Sequence, residues 1–358
     1  MNKIFIIRMI LFAAAAWPLL TGCNKADEPE PEPTVPSEYL YVLNCGSMGS
    51  KNAGLTLYDI KEGTIIKDVF EAQNGRRLGE TGQDIIIYGS KMYISMTDEM
   101  TVEVTDLDAK SIKQIPTEGK PRYFAADAGK VYVTYWNGLV ARIDTTLLVV
   151  EATTQVGRNP EQLVVANERL YVANSGGLDF NTEAYYDKTV SVVDIASFTE
   201  TKKIEVEINP FDVVSDGYGN IYVVSVGNYM DIPNSLQIIN TTTELVTLVT
   251  DVNATFITAA GSILYAISAQ YDSDWNAIFT YSAYDMLGNS LLTNNFIGST
   301  KIDNTPIRIS SDMESGDVYI TTSDYLNDGD VYIFNKSNQF VRKFEAGLNP
   351  MKVVYVKK

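Results

Sequence analysis

The side chains that could do chemistry in this chain are carboxylates, arginines, tyrosines and amides, because its 358 residues include no histidine. That absence removes Ser-His-Asp and Cys-His catalysis, imidazole-ligated zinc and the commonest general base near neutral pH. Two cysteines can build neither a thiolate metal cage nor a disulfide framework. With 28 Lys+Arg against 45 Asp+Glu, the formal net charge of -17 opposes binding to a nucleic-acid backbone. Asp272, Asp274 and Asn276 open like a Ca²⁺ loop, but Ala283 stands where an EF-hand needs its bidentate Glu. The triplet therefore reads as a solvated turn, and no metal or other cofactor is expected. No carboxylate pair stands in a catalytic motif, so the chain reads as a non-enzyme.

What remains is the chemistry of recognition. Tyr (22) outnumbers Phe (13), and ring faces that carry hydroxyls suit a binding surface. One set of segments between apolar runs carries Asn74, Arg76, Arg77, Gln83, Arg122, Tyr123 and Arg158, with Asn159, Asn209, Phe211, Thr305, Arg308 and Asn349 in comparable places. A second set carries Tyr135, Trp136, Asn174, Tyr185, Tyr186, Asn228, Tyr229, Tyr271, Trp275 and Tyr325. Amides and hydroxyls could hydrogen-bond a polar ligand, rings could cover a flat one, and Arg76, Arg77, Arg122 or Arg158 could meet an anionic group. Each also has a packing role open to it: the arginines can pair with nearby carboxylates, and Trp136 or Trp275 can cover the end of a sheet.

The elements that must position these residues follow from a repeat. A strand of the form apolar-Tyr-apolar is centred on Tyr41, Tyr93, Tyr132, Tyr171, Tyr222, Tyr265 and Tyr319. The spacing, roughly 40 to 55 residues, is that of a four-stranded propeller blade with variable insertions. Residues 159–206 show the grammar of one blade: an apolar strand opening near Pro160, a polar turn, the Tyr171 strand, a loop, an alternating strand ending at Asp194, and a last strand. No helical period competes with these short β-branched runs. The fold begins at residue 39 directly on a Tyr strand, and the chain ends on residues 350–356, an inner strand with nothing after it. The two ends complete one blade. An all-β, seven-bladed propeller closed by its terminal strands is predicted over residues 39–358, which removes the exposed edge of an open sheet. Its long, aromatic loops gather on one face, whereas short turns such as 128–130, 167–169 and 217–220 join strands on the other.

Residues 1–22 read as a targeting segment, with Lys3 and Arg8 ahead of an apolar run too short to span a bilayer comfortably. The run ends in Leu20-Thr21-Gly22-Cys23, which looks like a lipobox with Cys23 as the lipidated residue. Residues 23–38 then form an acidic, Pro-rich tether with no core-forming pattern. Outer-membrane anchoring is expected, with the propeller facing the cell exterior; retention on the periplasmic side is the alternative.

The short blades with Asn-Pro starts resemble YncE-like seven-bladed propellers. More specifically, Asn44 to Asp59, Asn74 to Asp84 and Tyr88 to Ile94 resemble the first two blades of the DUF5074 surface lipoproteins, which include BtuG-type proteins. That resemblance implies capture of a cobamide, a relative of vitamin B12, and handover to a TonB-dependent BtuB-type transporter. A surface glycan- or protein-binding propeller without catalytic activity is the competing reading, since Tyr and Trp platforms suit sugar rings as well as corrins. The glycines of Asn44 to Gly54 and the pair Asn74-Gly75 also have an explanation in turn chemistry alone.

Overall fold

The computed structural model describes residues 37–271 and 276–358. Cys23, the targeting segment, Asp272, Asp274 and Trp275 lie outside the described residues. The compact unit Pro36–Lys358 is built from seven four-stranded antiparallel sheets. Numbered from the N-terminus, blade 1 takes its inner strand, Pro350–Lys357, from the end of the chain and pairs it with Glu38–Asn44. Blades 2 to 7 are continuous, with inner strands Gly82–Tyr88, Pro121–Asp127, Pro160–Ala166, Pro210–Ser215, Phe256–Ala260 and Thr305–Ser311. The predicted closure is therefore present, with Tyr39 opposite Val356 and Val42 opposite Val353.

Each repeated tyrosine sits in the second strand of its blade and is almost wholly buried. The hydrophobic clusters lie between successive blades: Tyr93 packs with Phe124 and Val133, and Tyr222 with Ile257 and Leu264. Burying one such side chain contributes about 2 kcal/mol. A propeller is thus held together by ring contacts between sheets rather than by one central core.

Blade 1 departs from the pattern. Its outer strand is only Ile65–Ile66, and a short helix, Val69–Asn74, follows it with Val69 and Phe70 buried. Asn74-Gly75, a tight-turn signal in the sequence, ends that helix instead: Gly75 takes a left-handed φ of 64° and its N–H donates to the Glu71 carbonyl.

Candidate ligand-binding site

The site is prepared by how the inner strands begin. In blades 2, 3, 4, 5, 7 and 1 the register slips just after the first Pro or Gly of the inner strand, leaving Gln83, Arg122, Glu161, Phe211, Ile307 and Met351 out of the ladder. A bulge of this kind re-aims a side chain, and proline, with no N–H to donate, tolerates the interruption. Blade 6 has no such proline, and its inner strand pairs without a slip from Phe256 onward. The mouth of the propeller thereby acquires a charged sector from blades 2 to 4 and an apolar sector from Phe211, Phe256, Ile307 and Met351.

Asn159, Asn209 and Asn349, each directly before a proline, adopt left-handed φ values of 44°, 60° and 54°. Asparagine is among the few residues that visit this region readily. Their side-chain amides donate to the carbonyls of Trp136, Gly227 and Gly46 at 3.1, 3.0 and 2.9 Å. These contacts tie the starts of blades 4, 5 and 1 to neighbouring loops of the same face.

In the charged sector, the Arg122 guanidinium donates to Glu161 Oε2 at 2.9 Å and to Gln83 Oε1 at 2.6 Å. Trp136 lies 4.1 Å from the same guanidinium carbon, and its Nε1–H donates to Glu161 Oε1 at 2.9 Å. Gln83 and Arg308 both donate to the Tyr123 hydroxyl, each at 2.8 Å. Burial pushes the Tyr123 phenol above its usual value. Burial also raises the Asp212 carboxyl to about 6, although the Ile257 N–H and the charges of Arg308 and Lys352 pull the other way. The Cys45 thiol is pushed up by burial, against the opposing influence of Arg122 and Arg308. Among the described residues, no cluster of His, Cys, Asp and Glu could hold a metal ion.

Two cavities open here. The smaller, about 390 Å³, is lined by Trp136, Phe180, Tyr186, Phe211 and Tyr229 with Asn159, Asn209 and Glu161. The larger, about 910 Å³, is bounded by Val226, Tyr229, Ile232, Phe256, Phe279, Ile307 and Met351, with Asn234, Gln270, Thr305, Arg308, Tyr325 and Asn349 supplying polar atoms. Phe211 and Tyr229 border both.

Of the residues singled out in the sequence, Trp136, Asn159, Tyr186, Asn209, Phe211, Tyr229, Thr305, Arg308, Tyr325 and Asn349 line a cavity, and Gln83, Arg122 and Tyr123 form the network beside it. Tyr185 packs edge-on against Tyr186 at 4.8 Å. Tyr271 ends the second strand of blade 6. The others are placed elsewhere. Asn74 bonds the carbonyls of Phe70 and Ala109 and the N–H of Ser111, in a turn on the opposite face. Arg76 grips both oxygens of buried Glu103 at 2.8 and 2.9 Å, and Arg77 lies 3.7 Å from Glu71. Arg158 clasps the blade 4 loop through Asp179 and the Tyr185 carbonyl. Asn228 shapes its own loop by accepting from the N–H groups of Met230 and Ile232. Tyr135 and Asn174 are wholly buried: Tyr135 in the cluster between blades 2 and 3, and Asn174 bonded to Gly157 and Ser191.

Loop glycines and asparagines in the 44–54 segment are likewise engaged in turn construction. Glu80 accepts from the Gly49 and Lys51 N–H groups, and Asn52 accepts from that of Ser47. Missed by sequence reasoning were the cavity residues Phe256, Phe279, Ile307 and Met351. The signal available for three of them was their shared place at the start of an inner strand.

A closed seven-bladed propeller with a cleft at one mouth is the class that this geometry defines. The chain belongs to the family described as "Domain of unknown function (DUF5074)", whose model matches residues 39–340. Among curated proteins no sequence match is found. Similar solved structures include a quinonprotein alcohol dehydrogenase-like protein from Bacteroides thetaiotaomicron, with 14% identity, TM-score 0.64, and 89% of this chain and 78% of that one covered. A putative 6-phosphogluconolactonase from Bacteroides fragilis is similar at 12% identity and TM-score 0.63, over 90% of this chain and 99% of the other. Hydrazine synthase from Kuenenia stuttgartiensis is similar at 15% identity and TM-score 0.58, over 85% and 89%. At such identities the likeness concerns the fold alone.

Proposed function

We propose that this propeller captures a cobamide at its larger cavity, without catalysing a reaction, and passes it to a TonB-dependent BtuB-type transporter. The observation that carries the reading is the cavity's composition: a broad apolar wall from Phe256, Phe279, Ile307 and Met351 interrupted by the amides of Asn234, Gln270 and Asn349. A corrin ring offers the matching surface, apolar methyl edges between amide arms. With no histidine in the chain, the cobalt is not ligated by imidazole, and affinity comes from shape and hydrogen bonding. The motifs shared with DUF5074 surface lipoproteins add support.

Incubating the purified protein with cyanocobalamin and reading a corrin absorbance band after gel filtration tests this, with co-elution as the expected result. A protein peak without corrin colour overturns it and favours the glycan reading, for which the smaller cleft offers Trp136, Tyr186 and Tyr229. The same proposal puts the protein on the outer membrane facing outward, held by lipid on Cys23, a reading that the lipobox and acidic tether support. Cys23→Ala is expected to move it from the detergent phase to the aqueous phase on partitioning. Unchanged partitioning of that variant counts against the anchor.

A further inference from the structure

We propose that the larger cavity is an anion-receiving site, in which Arg308 meets a carboxylate or phosphate group borne by a ligand with a broad apolar surface. The inference deepens the capture reading and rests on the same cavity being where the ligand is held.

The cavity is unusual for this molecule in its charge. In a chain with 45 Asp and Glu, no acidic side chain is found among the described residues that line it, and Arg308 is their one cationic member. The Arg308 guanidinium carbon lies 5.3 Å from the centre of the Phe211 ring and 4.8 Å from that of Phe256. Two neutral oxygens accept from it, the Ile307 carbonyl at 2.9 Å and the Tyr123 hydroxyl at 2.8 Å. Ring faces and neutral acceptors orient a guanidinium without neutralising it.

No carboxylate among the described residues lies within ion-pair distance of Arg308. Asp212 and Glu161 act on it only at longer range; Asp212 accepts the Ile257 N–H, and Glu161 is engaged by Arg122 and Trp136. The arginines that looked suited to an anion in the sequence are differently placed: Arg76, Arg122 and Arg158 hold Glu103, Glu161 and Asp179 at 2.6 to 2.9 Å. A half-buried, pre-oriented guanidinium that has spent only part of its five-donor fork is the arrangement that recognises an oxyanion. The walls formed by Ile232, Phe279, Ile307 and Met351 then favour apolar surface on the rest of the ligand, with Asn234, Gln270 and Asn349 left to meet its polar arms. For a cobamide the group would be its nucleotide phosphodiester; a fatty-acid carboxylate has the same chemistry.

The test pairs each anionic ligand with a counterpart that lacks the anion: decanamide differs from decanoate in that group alone, whereas cobinamide lacks the whole nucleotide, phosphate included. Calorimetric titration of the purified protein compares decanoate with decanamide, and cyanocobalamin with cobinamide, which lacks the nucleotide phosphate. The wild type is expected to bind decanoate at least about tenfold more tightly than decanamide, the order of one charge-assisted hydrogen bond. Arg308→Met should erase that preference and weaken cyanocobalamin, while leaving cobinamide within about threefold, a change of well under one such bond. Arg308→Lys, which keeps charge without the fork, should fall between them, and its folding is checked by thermal melting should Arg308→Met fail to fold. Equal wild-type affinity for decanoate and decanamide, or cyanocobalamin binding unchanged in a folded Arg308 variant, overturns the proposal. Arg308-dependent decanoate binding without any cyanocobalamin binding leaves the anion site standing and removes the cobamide reading.

Discussion

At Asp212, burial is opposed by a hydrogen bond and by nearby positive charge, and burial prevails. Its carboxyl titrates at about 6 in the folded protein because desolvation outweighs the Ile257 N–H and the nearby cations, so the folded state holds this proton more tightly than the unfolded chain does. Its contribution to stability is therefore fully present below about pH 4 and is lost as pH rises through about 6, flat above that. Asp212→Asn keeps an acceptor for Ile257 and removes the titration. The variant is expected to gain on the order of 2 kcal/mol on the wild type between pH 4 and pH 7.5. Denaturant melts at the two pH values check this, and an identical pH slope in both proteins refutes it. Other single residues show what was legible. The third residue after each repeated tyrosine is Asn44, Met96, Tyr135, Asn174, Ser225, Ser268 or Thr322, and all are buried. Aligning the repeat on its tyrosines would have moved Tyr135 and Asn174 from the loops into the blades. Their residue types spoke for binding and their repeat position for packing; position prevailed, because side chains alternate along a strand whose two faces are both covered, Tyr132 packing towards blade 4 and Tyr135 towards blade 2.

Among the elements, the loop of residues 226–234 does most to shape the site, since it supplies Val226, Tyr229, Met230, Ile232, Pro233 and Asn234 to the larger cavity. It folds back on Gly227, whose φ is 66° and where an added Cβ would meet the Ile232 carbonyl oxygen at 2.1 Å. That approach is closed to any other residue without moving the loop. Gly227→Ala should cost about 1–3 kcal/mol of local strain and weaken ligand binding, while the blades keep their circular dichroism. Hydrogen exchange should quicken in the loop and stay unchanged in the Asn220–Ser225 strand. Equal exchange in the loop of both proteins would refute the role given to Gly227. Strands of this kind were readable from alternation and spacing, but the helix Val69–Asn74 was not. Six residues give too little periodicity to register, and Asn-Gly marks a helix end as well as it marks a hairpin turn. The bulges were hidden too, because a one-residue slip leaves the strand's composition unchanged.

At the scale of the whole molecule, closure was legible because the two ends of the chain carried complementary halves of one repeat. The inner strand Pro350–Lys357 does more than complete blade 1. Lys352 Nζ reaches Asp84 of blade 2 at 2.7 Å, and the Val353 N–H donates to Ser310 Oγ of blade 7 at 3.3 Å. Removing residues 350–358 would expose the edge of Glu38–Asn44, leave buried Asp84 without its cation, and open both neighbouring interfaces. The expected loss is about 3 kcal/mol or more, seen as a lower and broader thermal transition with early proteolysis near residues 38–44. A permutant separates pairing from closure. Moving residues 349–358 ahead of Ser37 rebuilds blade 1 as a continuous sheet, since the Lys358 N–H already donates to the Ser37 carbonyl at 2.9 Å. That protein keeps every strand pair but joins blade 7 to blade 1 without a covalent link, through side chains and the Gly46 N–H to Leu348 carbonyl bond. Its melting temperature should fall between those of the truncated and native chains. A permutant as unstable as the truncation would mean that the covalent link after Leu348, rather than the pairing of the terminal strands, supplies the stability of the ring.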